Sequence, residues 1–333
     1  MGSIARLLIV AGLVAWTGSA QADPIKVRIG WIAMPGSRAG YLTEKPELLK
    51  HYNQSYTVEA IHFSSTPAEL TALASGELDI AQFAFSSFAT AIENAHLDDV
   101  RLIADELEDG ANGYATTEFM VLKDSPFKTI EDLKGKVVAT NGIGSGIDMA
   151  MRYIFRKHGM EEKRDYTDIE IQFPNMRATL ADKKVDMVSA VLPFIYDPQL
   201  QAVARTLFKQ GDQIGPAELL MWASRKPYID KNHAALVDLM EDVLRVQRWY
   251  FDPANHAEAV QIAAKITKQP PEALGWVFTK KDFYRNPDGA PDMKAVAANL
   301  EMMKNLGYLK TDIDAPKYAD LSLVNEAAKR LNK

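Results

Sequence analysis

The chain has 333 residues, with 44 acidic side chains against 38 basic ones, a formal net charge of −6 and no cysteine. That length suits two domains better than one. The acidic balance argues against nucleic acid or anionic lipid as partner, and the absence of thiols excludes a disulfide framework.

The N-terminus carries Arg6, then an apolar run from Leu7 to Trp16 broken only at Gly12, then Gly18-Ser19-Ala20-Gln21-Ala22. About ten apolar residues are too few to span a bilayer, which takes roughly 20. A basic start, a short apolar middle and an Ala-x-Ala end are the marks of a secretory signal peptide. Residues 1–22 are therefore expected to be removed, leaving a mature chain from Asp23. With no cysteine to carry a lipid, the product is expected to be soluble, without a membrane anchor, in the periplasm of a double-membraned bacterium.

Residues 25–32, 56–63, 79–84 and 100–106 read as strands, and 67–75 and 88–95 as helices, a rhythm that implies a largely parallel sheet covered by helices. Thr66 is the expected N-cap of the first helix, with Pro67 at its first position and Glu69 completing a capping box. Similar starts recur at Asp197-Pro198 and Asp252-Pro253. The run Asp105-Glu106-Leu107-Glu108-Asp109 reads as a solvated loop.

An internal echo follows. Leu73-Ala74-Ser75-Gly76-Glu77-Leu78-Asp79-Ile80 is matched by Leu180-Ala181-Asp182-Lys183-Lys184-Val185-Asp186-Met187. In both, a helix ends, a turn follows, and an apolar-Asp-apolar step opens a strand. Residues 24–115 and 118–215 are thus expected to be two copies of one topology. Beyond Pro216, residues 218–224 read as extended. Amphipathic helices are then expected at 230–250, 253–267, 271–279, 291–305 and 317–331, returning mostly to the first copy; Leu236, Leu239, Met240, Val243 and Leu244 show the spacing.

Open α/β sheets bind ligands at the carboxyl ends of their strands, where helix N-termini follow. Those loops supply the candidate ligand-binding residues: Trp31; Ser64, Ser65 and Thr66; Phe85, Ser86 and Ser87; Asn141, Gly144, Ser145 and Gly146; and Pro193. Small and hydroxylated residues at helix starts suit an anionic or polar group. Trp31, Phe83, Phe85, Phe88, Phe194 and Trp222 are core candidates, of which one or two could stack on a ligand. His62 neighbours the serine loop. The histidines form no HxxxH pair, the glycine loop lacks GxGxxG spacing, and neither a GxxxxGK[ST] nor a GxSxG motif is present. No cofactor, metal ligand or catalytic residue is expected, and hence no enzyme.

At these loops the chain resembles the sulfonate, taurine and nitrate solute-binding proteins of ABC importers and the related binders of thiamine-pyrimidine precursors. The resemblance rests on Phe63-Ser64-Ser65-Thr66-Pro67-Ala68-Glu69-Leu70, on Ala74-Ser75-Gly76-Glu77-Leu78-Asp79-Ile80, on Phe85-Ser86-Ser87, and on Ile130-Glu131-Asp132-Leu133-Lys134-Gly135-Lys136-Val137-Val138-Ala139. It covers about residues 25–225. It implies an α/β, two-lobed periplasmic binding protein fold of type II, each lobe a mostly parallel sheet flanked by helices, with the ligand in the interlobe cleft. Residues 23–117 with 224–333 would form lobe 1 and 118–223 lobe 2, hinged near 114–122 and 218–224 and closing on the ligand. It also implies a small organic acid as ligand, sulfonate- or taurine-like, or else a thiamine-pyrimidine precursor; permease and ATPase subunits as partners; and a monomer. The apolar 191–194 segment and Trp31 suit an aromatic carboxylate as well. One departure stands out: where many relatives have Trp-Asp-Pro or Trp-Ala-Pro, this chain has Val191-Leu192-Pro193. The matching loops contain no Arg, so Arg38 or Arg177 would have to reach in.

Overall fold

Residues 23–32 and 37–332 are described by a computed structural model; the expected signal peptide and residues 33–36 lie outside the described residues. Among the described residues the strands are, in chain order, β1 (Ile25–Trp31), β2 (Tyr56–His62), β3 (Ile80–Phe83), β4 (Val100–Asp109), β5 (Glu118–Leu122), β6 (Lys136–Thr140), β7 (Tyr166–Glu170), β8 (Met187–Ala190), β9 (Ala204–Lys209) and β10 (Ala217–Arg225). The helices are α1 (Arg38–Tyr41), α2 (Thr66–Ser75), α3 (Phe85–Glu93), α4 (Gly146–Lys157), α5 (Phe173–Ala181), α6 (Pro198–Val203), α7 (Gln210–Ile214), α8 (Lys226–Phe251), α9 (His256–Thr267), α10 (Met293–Asn305) and α11 (Ser322–Leu331). No described helix is long and apolar enough to cross a membrane.

The strands form two five-stranded sheets, ordered β2-β1-β3-β10-β4 and β7-β6-β8-β5-β9. In each, one strand runs against the other four: β10 between β3 and β4, and β5 between β8 and β9. The two orders are the same once β5 and β10 are exchanged, so the echo in the sequence corresponds to two similar sheets with flanking helices. This is the two-lobed binding-protein fold.

The echoed aspartates explain why the repeat is written into the sequence. Asp79 accepts from the backbone N–H of Arg28 at 2.8 Å and returns its own N–H to the Arg28 carbonyl at 3.0 Å. Asp186 does the same to Val137, at 3.0 and 2.7 Å. Each Asp therefore pins the start of β3 or β8 to the neighbouring parallel strand, satisfying a ladder donor that pairing has not yet reached.

The chain crosses between the sheets through residues 110–117 and returns through 210–216. The passages touch at two glycines: a Cβ on Gly110, whose φ is +68°, would stand 3.2 Å from the Gly211 Cα. Asp109 ties them together. Its carboxylate accepts from the Thr116 hydroxyl, from the Thr117 N–H at 2.6 Å and from the Thr117 hydroxyl at 2.5 Å. The Thr116 oxygen in turn accepts from the Gly211 N–H at 2.8 Å. The hydroxyl, the amide and the acid thus satisfy one another without water.

Several expectations are corrected. The acidic run 105–109 is no loop: it completes β4, and Asp105, Glu106, Glu108 and Asp109 are all buried. Charge in the sequence hid the strand at one end of the first sheet, whose acids are buried against other segments. The N-cap of α2 is Ser65, not Thr66, and neither caps with its side chain. Glu69 turns inward instead, accepting from the Gln82 N–H at 2.5 Å, and Gly30 makes room for it, since a Cβ there would stand 2.3 Å from the Glu69 carboxylate. Ser86 and Ser87 lie in the first turn of α3 rather than in a loop before it. Residues 217–223, expected with the second lobe, pair inside the first sheet. The helix expected at 271–279 is a single short turn, Pro271–Ala273. The starts at Asp197 and Asp252 stand, with side chains accepting from Gln199 and Ala254.

Asp109→Ala removes three acceptor bonds made by a fully buried carboxylate and is expected to cost about 2–4 kcal/mol. Asp186→Ala removes one and is expected to cost about 1 kcal/mol. Urea denaturation of the two variants checks this; equal losses would contradict the special place of the crossing.

Candidate functional site

The loops after β2, β3, β6 and β8 face one another where the two sheets meet. Their closeness is set by glycine. A Cβ on Gly142 would stand 2.7 Å from the Ser65 Cβ, and one on Gly146 2.9 Å from the Ala84 Cβ. Any side chain at either position would push the loops apart. A hydrogen bond also crosses the gap, from the Asn141 amide to the Ser64 carbonyl at 3.4 Å. Ser145 caps α4, its Oγ accepting from the Asp148 N–H at 3.2 Å while donating to the Asn141 oxygen at 3.3 Å.

Behind this seam lies a narrow pocket, partly open to solvent. From the first sheet it is lined by Ile32, Thr66, Gln82 and Ala84, with Ser37 beside them. The second sheet supplies Asn141, Ser145, Gly146, Ile147, Phe173, Val191 and Leu192. The back wall, next to the crossing, is Glu106, Leu107, Leu219, Leu220 and Phe283. The walls are mostly apolar. The N-termini of α2 and α4 bring backbone N–H groups and positive dipole ends to its polar edge.

Among the described lining residues Glu106 alone is ionisable. Its carboxylate accepts from the Arg38 N–H at 2.8 Å and from the Trp222 indole. Burial pushes its pKa up, and the Arg38 guanidinium pulls it back. Arg38 itself bonds Gln247 at 2.7 Å and Asp105 at 3.1 Å, so it supports the floor of the pocket rather than reaching into it. Gln82 donates to the Ser37 oxygen at 2.9 Å. The Gln82 carbonyl oxygen and the Thr66 hydroxyl are buried without a hydrogen-bond partner. An unpaired buried polar atom costs about 1–3 kcal/mol, which a bound molecule can recover.

Of the candidates, Thr66, Asn141, Ser145 and Gly146 line this pocket, while Ser64 and Ser65 form the seam over it. Phe85 is buried beneath Gly146. Gly144 and Ser86 line a separate cavity with Arg152 and Tyr308, and Ser87 is buried in α3 away from both. Trp31 packs at a tilt against His62, their ring centroids 4.5 Å apart, and neither lines the pocket. Pro193 faces a second groove with Arg177 and Phe194, whereas its neighbours Val191 and Leu192 face the pocket. Arg177 is thus kept from the central site. Sequence reasoning missed Gln82, Glu106, Phe173, Leu219, Leu220 and Phe283. The one usable signal was Gln82, an amide inside the apolar strand Ile80–Phe83.

The profile of the NMT1-like family matches residues 20–264. The chain belongs to the NMT1-like family. No curated protein sequence matches it. Among solved structures it is similar to the alkanesulfonate-binding protein SsuA of Xanthomonas axonopodis pv. citri, bound to MOPS, with a TM-score of 0.70 and 18% identity over 90% of this chain and 99% of that one. The periplasmic nitrate-binding protein NrtA of Synechocystis PCC 6803 has a TM-score of 0.71 and 18% identity over 92% and 89%. The desulfurization enzyme DSZB has a TM-score of 0.65 and 12% identity over 92% and 99%. The fold is thereby shared with periplasmic solute-binding proteins.

The acids around the site set a pH dependence. Burial pushes Glu108 up to about 7 and Asp109 up to about 6, and raises Glu69, Glu106 and Glu218 as well. The folded chain therefore holds protons that unfolded carboxyls, near pKa ~4, have released. Stability is full at the acid end of that window and falls as pH rises through the folded values. The melting temperature is expected to be higher at about pH 5 than at about pH 8; a rise across that interval would contradict the assignment.

Proposed function

We propose that this NMT1-like protein is the substrate-binding component of an ABC importer, and that it captures a small organic acid with an apolar or aromatic body by closing its two lobes, 23–117 with the C-terminal helices and the central segment. The mature chain would act in the periplasm as an unanchored monomer and deliver its ligand to permease and ATPase subunits. The observation that carries the reading is the mostly apolar pocket between the sheets, met at one edge by two helix N-termini. Val191, Leu192 and Phe173 favour a ring or alkyl body over nitrate or taurine, which have little apolar surface to bury. A carboxylate or sulfonate head fits the donors at the starts of α2 and α4.

An enzyme is the weaker reading. Glu106 is held by two donors, and the Ser145 hydroxyl pairs with an amide rather than a general base. A thiamine-pyrimidine precursor is favoured by one specific feature, the unpartnered Gln82 oxygen near Glu106, which suits a ligand bearing an N–H donor.

Thermal-shift screening of the mature protein against aromatic sulfonates, aromatic carboxylates, taurine, nitrate and aminopyrimidines decides among these. Aromatic acids are expected to raise the melting temperature, since a ligand at about 100 times its dissociation constant adds roughly 2.7 kcal/mol. A response confined to the pyrimidines would replace the acid reading with the second one, and turnover of a hit would favour the enzyme. Gly146→Val, which props Ala84 away from α4, is expected to weaken binding at least about tenfold, a loss of roughly 1.4 kcal/mol. Unchanged affinity in titration calorimetry would mean that the ligand binds elsewhere.

A further inference from the structure

Behind the pocket, three carboxylates converge. Asp105 and Glu108 come from β4 and Glu218 from β10, and one oxygen from each lies within 4.8 Å of the others. All three residues are buried. The loop between Tyr284 and Met293 grips them from the far side. The Asn286 N–H donates to Asp105 Oδ2 at 2.7 Å, and the Asp292 N–H donates to Glu218 Oε2 at 2.8 Å. Each of these bonds occupies one oxygen of its carboxylate. The other oxygens, Asp105 Oδ1 and Glu218 Oε1, are fully buried and receive no N–H or hydroxyl donor; what Asp105 and Glu218 offer each other is a second carboxyl.

The charges do not balance locally. Arg38 pairs with Asp105 at 3.1 Å, and Arg285 pairs with Asp282 at 3.2 Å. No ion pair among the described residues reaches Glu108 or Glu218. Burying a carboxylate without a counter-charge is costly, so buried acids are found paired, protonated or coordinating a metal. Oxygens sharing one calcium ion at 2.3–2.6 Å stand at most about 5 Å apart, which the cluster satisfies. The donor set is all oxygen, which suits calcium or magnesium over zinc. Calcium takes about 6–8 oxygens in a flexible geometry, so second carboxylate oxygens and water would complete its shell, whereas magnesium demands shorter bonds in a near-ideal octahedron.

We propose that Asp105, Glu108 and Glu218 form a calcium site that ties β4 to β10 and the 284–292 segment to both. Glu106, Leu107 and Leu219, the neighbours of these residues in sequence, line the ligand pocket. The ion would thus brace the back wall of the pocket, on the strand that runs into the crossing. The proposal does not depend on the identity of the ligand.

The test uses the full mature protein, dialysed exhaustively against EGTA. Calcium chloride is then expected to raise the melting temperature by about 4 °C at saturation, and titration calorimetry is expected to find one ion per chain. Magnesium chloride at the same concentration is expected to give a clearly smaller shift. Glu108→Gln is expected to fold, to melt in EGTA at or above the wild-type temperature because a buried acid without a counter-charge is gone, and to lose the calcium response. If that variant does not fold, Glu218→Gln serves, since its amide oxygen can still accept from Asp292. The proposal is overturned if calcium gives no saturable shift, or if the variant keeps the full response. A melting temperature that follows pH alone would also overturn it, and would mean that the carboxyls share protons instead.

Discussion

Two passages of chain have to cross between the sheets, and Asp109 is where they are joined. The first passage delivers β5 into the second sheet, and the return delivers β10 into the first. Each sheet is therefore completed by a strand that arrives from the other, running against its neighbours. The second sheet draws all five of its strands from the stretch between the crossings, and the first is whole only when β10 returns. Gly110 and Gly211 allow the backbones to touch, and Asp109 converts that contact into hydrogen bonds to Thr116 and Thr117. The position of the pocket follows from this. Its back wall is made of Glu106 and Leu107 on β4 with Leu219 and Leu220 on β10, the strands on either side of the crossing.

The front of the pocket depends on a different economy of space. Gly142 and Gly146 place the second-sheet loop against Ser65 and Ala84 with no room for a side chain. Glycine here serves close approach rather than an unusual backbone angle. The helix that follows then starts at the seam, so that its N–H groups face the enclosed space. Lobe contact and the polar edge of the pocket are thus carried by one loop, of which Asn141, Ser145 and Gly146 line the pocket. Among the described residues no lysine or arginine lines the pocket, so an acidic ligand would be held by dipoles and hydroxyls.

Much of this was legible in the sequence where local signals and global roles agree. The echoed Asp79 and Asp186 marked two strands that begin in the same way and pin their neighbours in the same way. The glycine-serine loop and the apolar Val191-Leu192 step announced parts of the site. What was not legible was any residue whose role depends on a partner far along the chain. Asp105 to Asp109 read as solvated because their neighbours in sequence are acids; what buries them is Arg38, Trp222, Thr117 and Asn286, from four other segments. Glu69 read as a helix-capping acid, but Gly30, on a strand 39 positions earlier, lets it turn inward. Leu219 and Leu220 were seen as strand residues, yet their place on the pocket wall depended on which sheet β10 joined. Trp31 lies away from the pocket for the opposite reason: a tryptophan at a strand end suggests a ligand platform, but its ring already packs at a tilt against His62 on the adjacent strand.

The central claim is that the space between the two sheets holds the ligand. A crystal structure of the mature protein with the tightest-binding compound tests it most directly. The compound is predicted to lie between Thr66 and Ser145 with its body against Val191 and Leu192. A compound seated instead in the groove of Arg177 and Pro193, with the central pocket unchanged, would contradict the account.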